Sequence, residues 1–209
     1  MNLSATKDHK KYWANRKINW VEAYSSTYNH PHRRLIIKAL KTMRWRSLFE
    51  VGCASGPNLI AIQRTFPHAD LGGVDINEDA IATAKETFKD FNFHFEVGDA
   101  EDIMMSDRSA DIVLTDMTLM YLNSKGVKKA LSEAARIVRR GVVLVELHSA
   151  NPFKRLWLKL TSGYNAHNYK RLLSKIGFRS IIIYKITEKE WPGGKPQKSF
   201  AYLITAKKI

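Results

Sequence analysis

The stretch Leu48-Phe49-Glu50-Val51-Gly52-Cys53-Ala54-Ser55-Gly56-Pro57-Asn58-Leu59 constrains this chain more than any other. A strand-like run enters a loop of small side chains, and the loop enters residues that favour a helix. Such a loop lets the backbone approach a ligand closely, and the helix that follows offers unpaired N–H groups at its start. The arrangement belongs to parallel sheets covered by helices on both faces. Dinucleotide-binding proteins use the same device with G-x-G-x-x-G. Here Gly52 and Gly56 stand four apart, Ala54 takes the middle place and Glu50 precedes the loop. An acid at that point opposes a pyrophosphate and suits a ligand that carries positive charge.

The rest of the chain fits the same architecture. Apolar runs predict strands at 48–51, 71–75, 91–97, 111–115, 141–147, 180–186 and 200–206. Helices fit at 57–65, 78–89 with Asn77 as N-cap, 125–139, and 168–176 closed by Gly177. Val127, Leu131, Ala134 and Val138 keep helical spacing, so one face of the third helix is expected in the core. The turn-rich Trp191-Pro192-Gly193-Gly194-Lys195-Pro196 suits an antiparallel hairpin at the sheet edge. Two further helical stretches, 8–25 and 31–43, are too short to hold a core of their own. The expectation is a seven-stranded, mostly parallel, Rossmann-like α/β sheet with an antiparallel edge hairpin and an N-terminal helical extension.

Charge is unevenly spread over the 209 residues, whose net charge is +14. Residues 1–46 hold 11 Lys and Arg against 2 acids, residues 47–116 hold 4 against 14, and residues 117–209 hold 19 against 4. Basic flanks around an acidic middle suggest faces for partners of different charge, including an acidic partner such as RNA, DNA or a phosphorylated molecule. A surface that serves only solubility is the alternative. No apolar run reaches the roughly 18 residues of a membrane-spanning helix, and the N-terminus lacks the apolar stretch of a signal peptide. The single cysteine, Cys53, permits no internal disulfide and no multi-cysteine metal cluster. A cytoplasmic protein without a metal is therefore expected.

By the loop motif, the chain resembles the class I S-adenosylmethionine (SAM) dependent methyltransferases, whose first motif reads approximately E/D-x-G-x-G-x-G. The resemblance spans residues 47–148 by motif, with Ala54 in place of the central glycine. It implies a SAM-binding methyltransferase domain at 47–209, with 1–46 as a helical cap of the same domain, and S-adenosylhomocysteine as the product. It further implies that the loop from Gly52 through Ala54 to Gly56, with Asn58 behind it, wraps the methionine part of SAM while Glu50 orients it. Gly73-Val74-Asp75-Ile76 ends the second strand, so Asp75 would accept the ribose hydroxyls and Ile76 would lie against adenine. Asp99, followed by Ala100, matches the acceptor of the adenine amino group. Thr115 and Asp116 end the fourth strand, where cofactor and acceptor meet in the family.

The residues that are missing narrow the chemistry. No N-P-P-Y or D-P-P-Y sequence follows the fourth strand, which disfavours methylation of an adenine amino group. Carbon methylation of cytosine needs a cysteine nucleophile, and the one thiol lies inside the cofactor loop. Transfer to an oxygen or nitrogen is expected, with a small molecule slightly favoured over nucleic acid. A base near neutral pKa would help such a transfer, and His30, His32, His148 and His167 are candidates. His148 is best placed, because it follows Glu146 at the carboxyl end of a strand. A SAM-binding protein without catalysis and a nucleic-acid-binding protein that uses the basic flanks are the rival classes. An NAD dehydrogenase conflicts with Glu50 and with the glycine spacing.

Two segments bear on the acceptor. Phe153, Leu156, Trp157 and Leu160 form one helical face, with Lys154, Arg155 and Lys159 off it. Three readings compete: a lid packed on the body, a substrate flap, and a membrane-surface contact, the last disfavoured by the helix's shortness. The N-terminal stretch mixes Tyr12, Trp13, Trp20, Tyr24 and Tyr28 with Lys10, Lys11, Arg16 and Lys17. Stacking on bases competes there with burial against the sheet, and burial is favoured because Trp13, Lys17, Trp20, Val21 and Tyr24 share a face. Tyr28, His30, Arg33 and Tyr121 are expected to line the acceptor pocket. The acceptor's identity and the oligomeric state are left open by the sequence.

Overall fold

Alternating apolar runs and amphipathic helices assemble into one seven-stranded sheet in the computed structural model, which describes residues 8–25, 29–194 and 197–208. The strands are β1 (Ser47–Val51), β2 (Asp70–Asp75), β3 (His94–Val97), β4 (Ala110–Asp116), β5 (Val138–Leu147), β6 (Phe178–Lys185) and β7 (Ala201–Lys208). Their order across the sheet is β3-β2-β1-β4-β5-β7-β6. The first five run parallel, and β7 lies antiparallel between β5 and β6. The antiparallel pair expected at the edge is therefore present, with the last strand inserted and β6 left outermost. β1 continues to β2 on one side and neighbours β4 on the other, and that reversal opens a crevice at the carboxyl ends of the strands.

Helices cover both faces, which is why β4 and β5 read as nearly unbroken apolar runs. On one side α3 (Pro31–Lys41), α4 (Pro57–Thr65) and α5 (Glu78–Thr87) bury Ile36, Leu40, Leu59, Ile62, Ile81 and Ala84. On the other, α6 (Gly126–Ile137) and α8 (Tyr169–Lys175) bury Val127, Leu131, Ala134, Tyr169 and Leu173. α6 stops two residues before the expected end, because Val138 turns to extended backbone and begins β5. That turn brings Arg139 and Arg140 onto Asp111, at 2.9 and 3.2 Å.

The N-terminal stretch is two helices, α1 (His9–Ala14) and α2 (Trp20–Ser25), not one. Asn77 accounts for the break. Its side-chain oxygen accepts from Ala80 N–H and caps α5, as the sequence predicts, while its amide nitrogen donates to the carbonyls of Trp13 at 2.7 Å and Arg16 at 2.9 Å. One buried amide thus serves the start of one helix and the end of another. Replacing Asn77 by alanine is expected to lower stability by about 2 kcal/mol, since a cap is lost and buried carbonyls lose their donor. Urea denaturation measures it.

Some of the flanking positive charge is paired within the molecule. Lys10 pairs with Asp99 and Glu101, Lys17 with Asp79, Arg46 with Asp70, and Arg139 and Arg140 with Asp111. Five cations of the basic flanks thus meet acids of the middle within the molecule. Among the described residues, no helix is long and apolar enough to cross a membrane.

Candidate functional site

The loop between β1 and α4 owes its shape to backbone that only small residues accept. Gly52, Ala54 and Gly56 have φ of 76°, 47° and 81°. A Cβ on Gly52 would stand 2.1 Å from Thr118 Oγ1, and one on Gly56 would stand 2.7 Å from the Phe88 ring. Ala54 occupies the left-handed region at a cost of roughly 1–2 kcal/mol, which explains why glycine suits that place. Two bonds to Val74 C=O, from the N–H groups of Gly52 at 2.8 Å and Cys53 at 3.0 Å, tie the loop to β2. Asp75 completes the tie: its oxygens accept from Ala54 N–H at 2.8 Å and Asn77 N–H at 3.0 Å.

Beneath the loop sits a buried acidic cluster. Asn58 Nδ2 donates to Glu50 Oε1 at 2.6 Å and to Asp116 Oδ2 at 3.0 Å. Glu50 Oε2 and Asp116 Oδ1 are buried without hydrogen-bond partners. Burial, reinforced by Asp116 and Asp75, pushes the Glu50 carboxyl well above its ordinary range. Burial works against the Asp116 charge too, but His32, Arg33 and Asn58 hold that carboxyl below the usual carboxylate range. The cluster therefore favours a cationic ligand. A cation arriving there lowers the Glu50 pKa, so binding should release a proton and tighten as pH rises towards that pKa. Calorimetry of SAM binding in buffers of different ionisation enthalpy measures the release; binding enthalpies that do not vary with buffer would contradict it.

Above the loop, the N-terminal helices close a cavity of about 450 Å³. Lys10 bonds Asp99 at 2.6 Å, Trp13 packs edge-on against Tyr121 at 5.2 Å, and Arg16 lies over the Trp13 ring. Trp20 and Tyr24 stack on each other and line the cavity, and burial pushes the Tyr24 hydroxyl up to about 12. Trp13, Trp20 and Tyr24 thus face the crevice rather than open solvent.

A chain of polar side chains crosses the cavity wall. Asp116 Oδ2 stands 2.8 Å from His32 Nε2, and His32 Nδ1 stands 2.5 Å from His30 Nδ1. The Trp191 ring stacks on His32, with centroids 4.2 Å apart, and packs against His30. Burial, with His32 and Arg33 beside it, pushes the His30 ring down to about 4. Among the described residues, no group of three or more His, Cys, Asp or Glu is arranged to hold a metal ion.

The structure gathers some expected site residues and disperses others. Gly52, Ala54, Asp75, Ile76, Asp99, Ala100 and Asp116 line the cavity, as do His30, Arg33 and Tyr121. Glu50 and Asn58 lie buried beneath it, and Gly56 serves the turn into α4. Thr115 points away: its hydroxyl donates to Glu146, which also accepts from Thr118 and Leu119 N–H. Tyr28 lies outside the described residues. His148, expected as the base, does not line the cavity. Its Nδ1 accepts from Tyr169 N–H, and its ring packs on Tyr169 and Tyr202, so it fastens the end of β5 to α8. His32 takes the prominent place instead. Trp191 was read only as part of a turn; a tryptophan in an otherwise polar, turn-rich segment was its one signal.

Comparison with known proteins agrees with this geometry. Residues 48–141 match the family model described as a methyltransferase domain. A fatty-acid O-methyltransferase of Mycolicibacterium smegmatis is 31% identical over 96 residues, which cover 46% of this chain and 34% of that protein. A demethylmenaquinone methyltransferase of Thermotoga maritima is 25% identical over 134 residues, covering 63% of this chain and 56% of that protein. The chain thus spans well under two thirds of either relative. In fold it is similar to the structure of a complex between the Haloferax volcanii Trm112 methyltransferase activator and a methyltransferase, with TM-score 0.69, 18% identity, and 97% of this chain and 98% of that chain covered. Residues 48–141 thus carry a segment similar to a methyltransferase domain, set in the strand order and glycine loop of a Rossmann-like methyltransferase fold.

Proposed function

We propose that this chain transfers a methyl group from SAM to an oxygen or nitrogen of a small, largely apolar acceptor, with His30 as the base and His32 and Asp116 behind it. The observation that carries the reading is the unbroken chain Asp116–His32–His30 in the wall of an aromatic cavity. In this reading residues 47–209 form the SAM-binding domain and residues 1–46 its helical cap. A cytoplasmic setting belongs to it, supported by the lone, buried Cys53.

The residues present fit the cofactor. Glu50 Oε2 and Asp116 Oδ1 are the unpartnered acceptors that a bound ammonium would satisfy. Asp75 and Ile76 line the wall where ribose and adenine would rest, and Asp99 with Ala100 closes the adenine end. Lys10 already holds Asp99 Oδ2, so the adenine amino group would share that carboxylate with the cap helix. SAM, when bound, supplies a methyl group on a positively charged sulfur.

The histidine pair then handles the acceptor's proton. His32 N–H points at His30 Nδ1 from 3.4 Å, but the Nδ1···Nδ1 contact is much shorter at 2.5 Å. With His32 Nε2 donating to Asp116, that contact needs its proton on His30 Nδ1, which leaves His30 Nε2 bare, a tautomer deduced from the network. A ring held near 4 is a poor base by itself. As His30 Nε2 takes the acceptor's proton, the bridging proton passes to His32 Nδ1, and the positive charge comes to rest beside Asp116. Met117, Met120, Leu122 and Trp191 line the same cavity as His30, a lining that favours an apolar molecule. The acceptors named for the two curated relatives, a fatty acid and demethylmenaquinone, support the same class.

The test is incubation with methyl-labelled SAM and cell extract, followed by separation into solvent-extractable metabolites, protein and RNA. Label in the solvent-extractable fraction is expected. Label confined to RNA or protein, or tight SAM binding without transfer, would overturn the acceptor class.

A further inference from the structure

The amphipathic helix α7 (Pro152–Ser162) does not pack as a lid. Its one buried side chain is Leu158, 1% exposed, on the face opposite the apolar stripe. The stripe itself is largely exposed: Phe153 is 79% exposed, Leu160 75%, Leu156 55% and Trp157 59%, although the Trp157 ring also stacks on Phe200. Asn151 caps the helix and Gly163 ends it, so its direction is fixed, and Arg155 anchors it through the carbonyls of Ser149 and Ala150. Lys154 and Lys159 flank the stripe on opposite sides, both exposed. Just past the helix, Tyr164 packs edge-on against Tyr121 of the cavity wall, 5.7 Å between centroids, and Asn165 N–H donates to Met120 C=O. α7 thus stands on the rim of the crevice.

We propose that α7 docks this protein on an anionic lipid bilayer surface, with Phe153, Leu156, Trp157 and Leu160 entering the interface and Lys154 and Lys159 meeting lipid phosphates. The inference goes beyond the methyl-transfer reading and does not depend on it. Charge selects the occupant. α7 itself carries Lys154, Arg155 and Lys159 and no acid, so the edges of the stripe attract an anionic plane. An aromatic and leucine stripe edged by lysines whose stems can run along it matches a helix lying in the headgroup region. Size argues against a second copy as the occupant. Side chains of this kind expose roughly 500 Å² together, below the about 800 Å² per partner of a stable interface. A bilayer below the rim would also deliver an apolar acceptor to the crevice without a passage through water.

The test is sedimentation of the full chain with vesicles of phosphatidylcholine alone and of phosphatidylcholine with phosphatidylglycerol in equal parts, at low salt. Binding to the anionic vesicles alone is expected. The triple variant Phe153→Ser, Trp157→Ser, Leu160→Ser, whose three side chains are each more than half exposed, should lower partitioning by at least about tenfold. Lys154→Gln with Lys159→Gln should lower it by roughly tenfold or more. Failure to sediment with anionic vesicles, equal sedimentation with neutral ones, or binding that the triple variant leaves intact would each overturn the proposal. So would a wild-type dimer that the triple variant disperses, because α7 would then join two copies. SAM affinity measured on the same samples reports on the cofactor site separately, so the two readings fail independently.

Discussion

Replacing His30 by glutamine should lower methyl transfer by about 10²–10⁴-fold, the range set by removing a positioned base, while SAM affinity is unchanged. Glutamine fills the place of the ring but cannot accept a proton at neutral pH. His32 and Asp116 then remain paired at 2.8 Å with nothing to relay. The measurement is label transfer to the solvent-extractable fraction, with calorimetry of SAM binding alongside. A parallel fall in SAM affinity would make His30 a cofactor residue, and an unchanged rate would remove it from the mechanism. The wild-type rate should fall as pH drops through the titration of the relay, because a protonated pair takes no further proton. The charged and titratable groups facing His30 are His32, Arg33 and Asp116, and the first two already press its proton off. Asp116→Asn should shift that pH profile downwards, since the Asp116 charge favours the protonated His30 ring and is then lost.

Replacing Gly52 by valine should weaken SAM binding by more than about a hundredfold, a loss of some 3 kcal/mol or more made of backbone strain and displaced wall. At φ of 76° a β-branched residue is strained before any contact is considered. Its Cβ would also fall 2.1 Å from Thr118 Oγ1. Thr118 cannot simply yield, because its N–H is held by buried Glu146, which also takes the Thr115 hydroxyl and Leu119 N–H. Movement of Thr118 therefore disturbs Met117 and Met120, which line the cavity on either side. Calorimetry with SAM is the readout, and thermal denaturation separates loss of the site from loss of the fold. A variant that binds SAM normally would remove the loop from the cofactor site.

Local rules, acting over a few residues, made much of this protein legible from the chain alone. Helix α4 has the bounds the sequence predicts, because Gly56 and Pro57 start it and no long-range contact has to decide. Asn77 caps α5 as expected, and Asp75, Ile76, Asp99 and Ala100 reach the crevice because strand ends in a parallel sheet converge at one edge. Period and spacing, however, do not say which surface an apolar stripe meets. The stripe of α7 has the pattern of a packed face yet is largely exposed; Leu158, off the stripe, is the side chain it buries, and Trp157 touches the body only through Phe200. Nor do they say which distant residues meet. His32 reaches Asp116 across 84 positions, Lys10 reaches Asp99 across 89, and Asn77 turns one predicted helix into two by taking the carbonyls of residues 61 and 64 positions away. His148 followed a strand end as a catalytic residue would, yet packing against Tyr169 and Tyr202 gave it to the core. The chain by itself determined the layers, the loop and the cofactor crevice, because backbone hydrogen bonding and side-chain periodicity act locally. Only the tertiary structure decided the contacts of Asp116, His32 and His30 and the exposed face of α7, because those depend on which separate elements come within a few ångströms of each other.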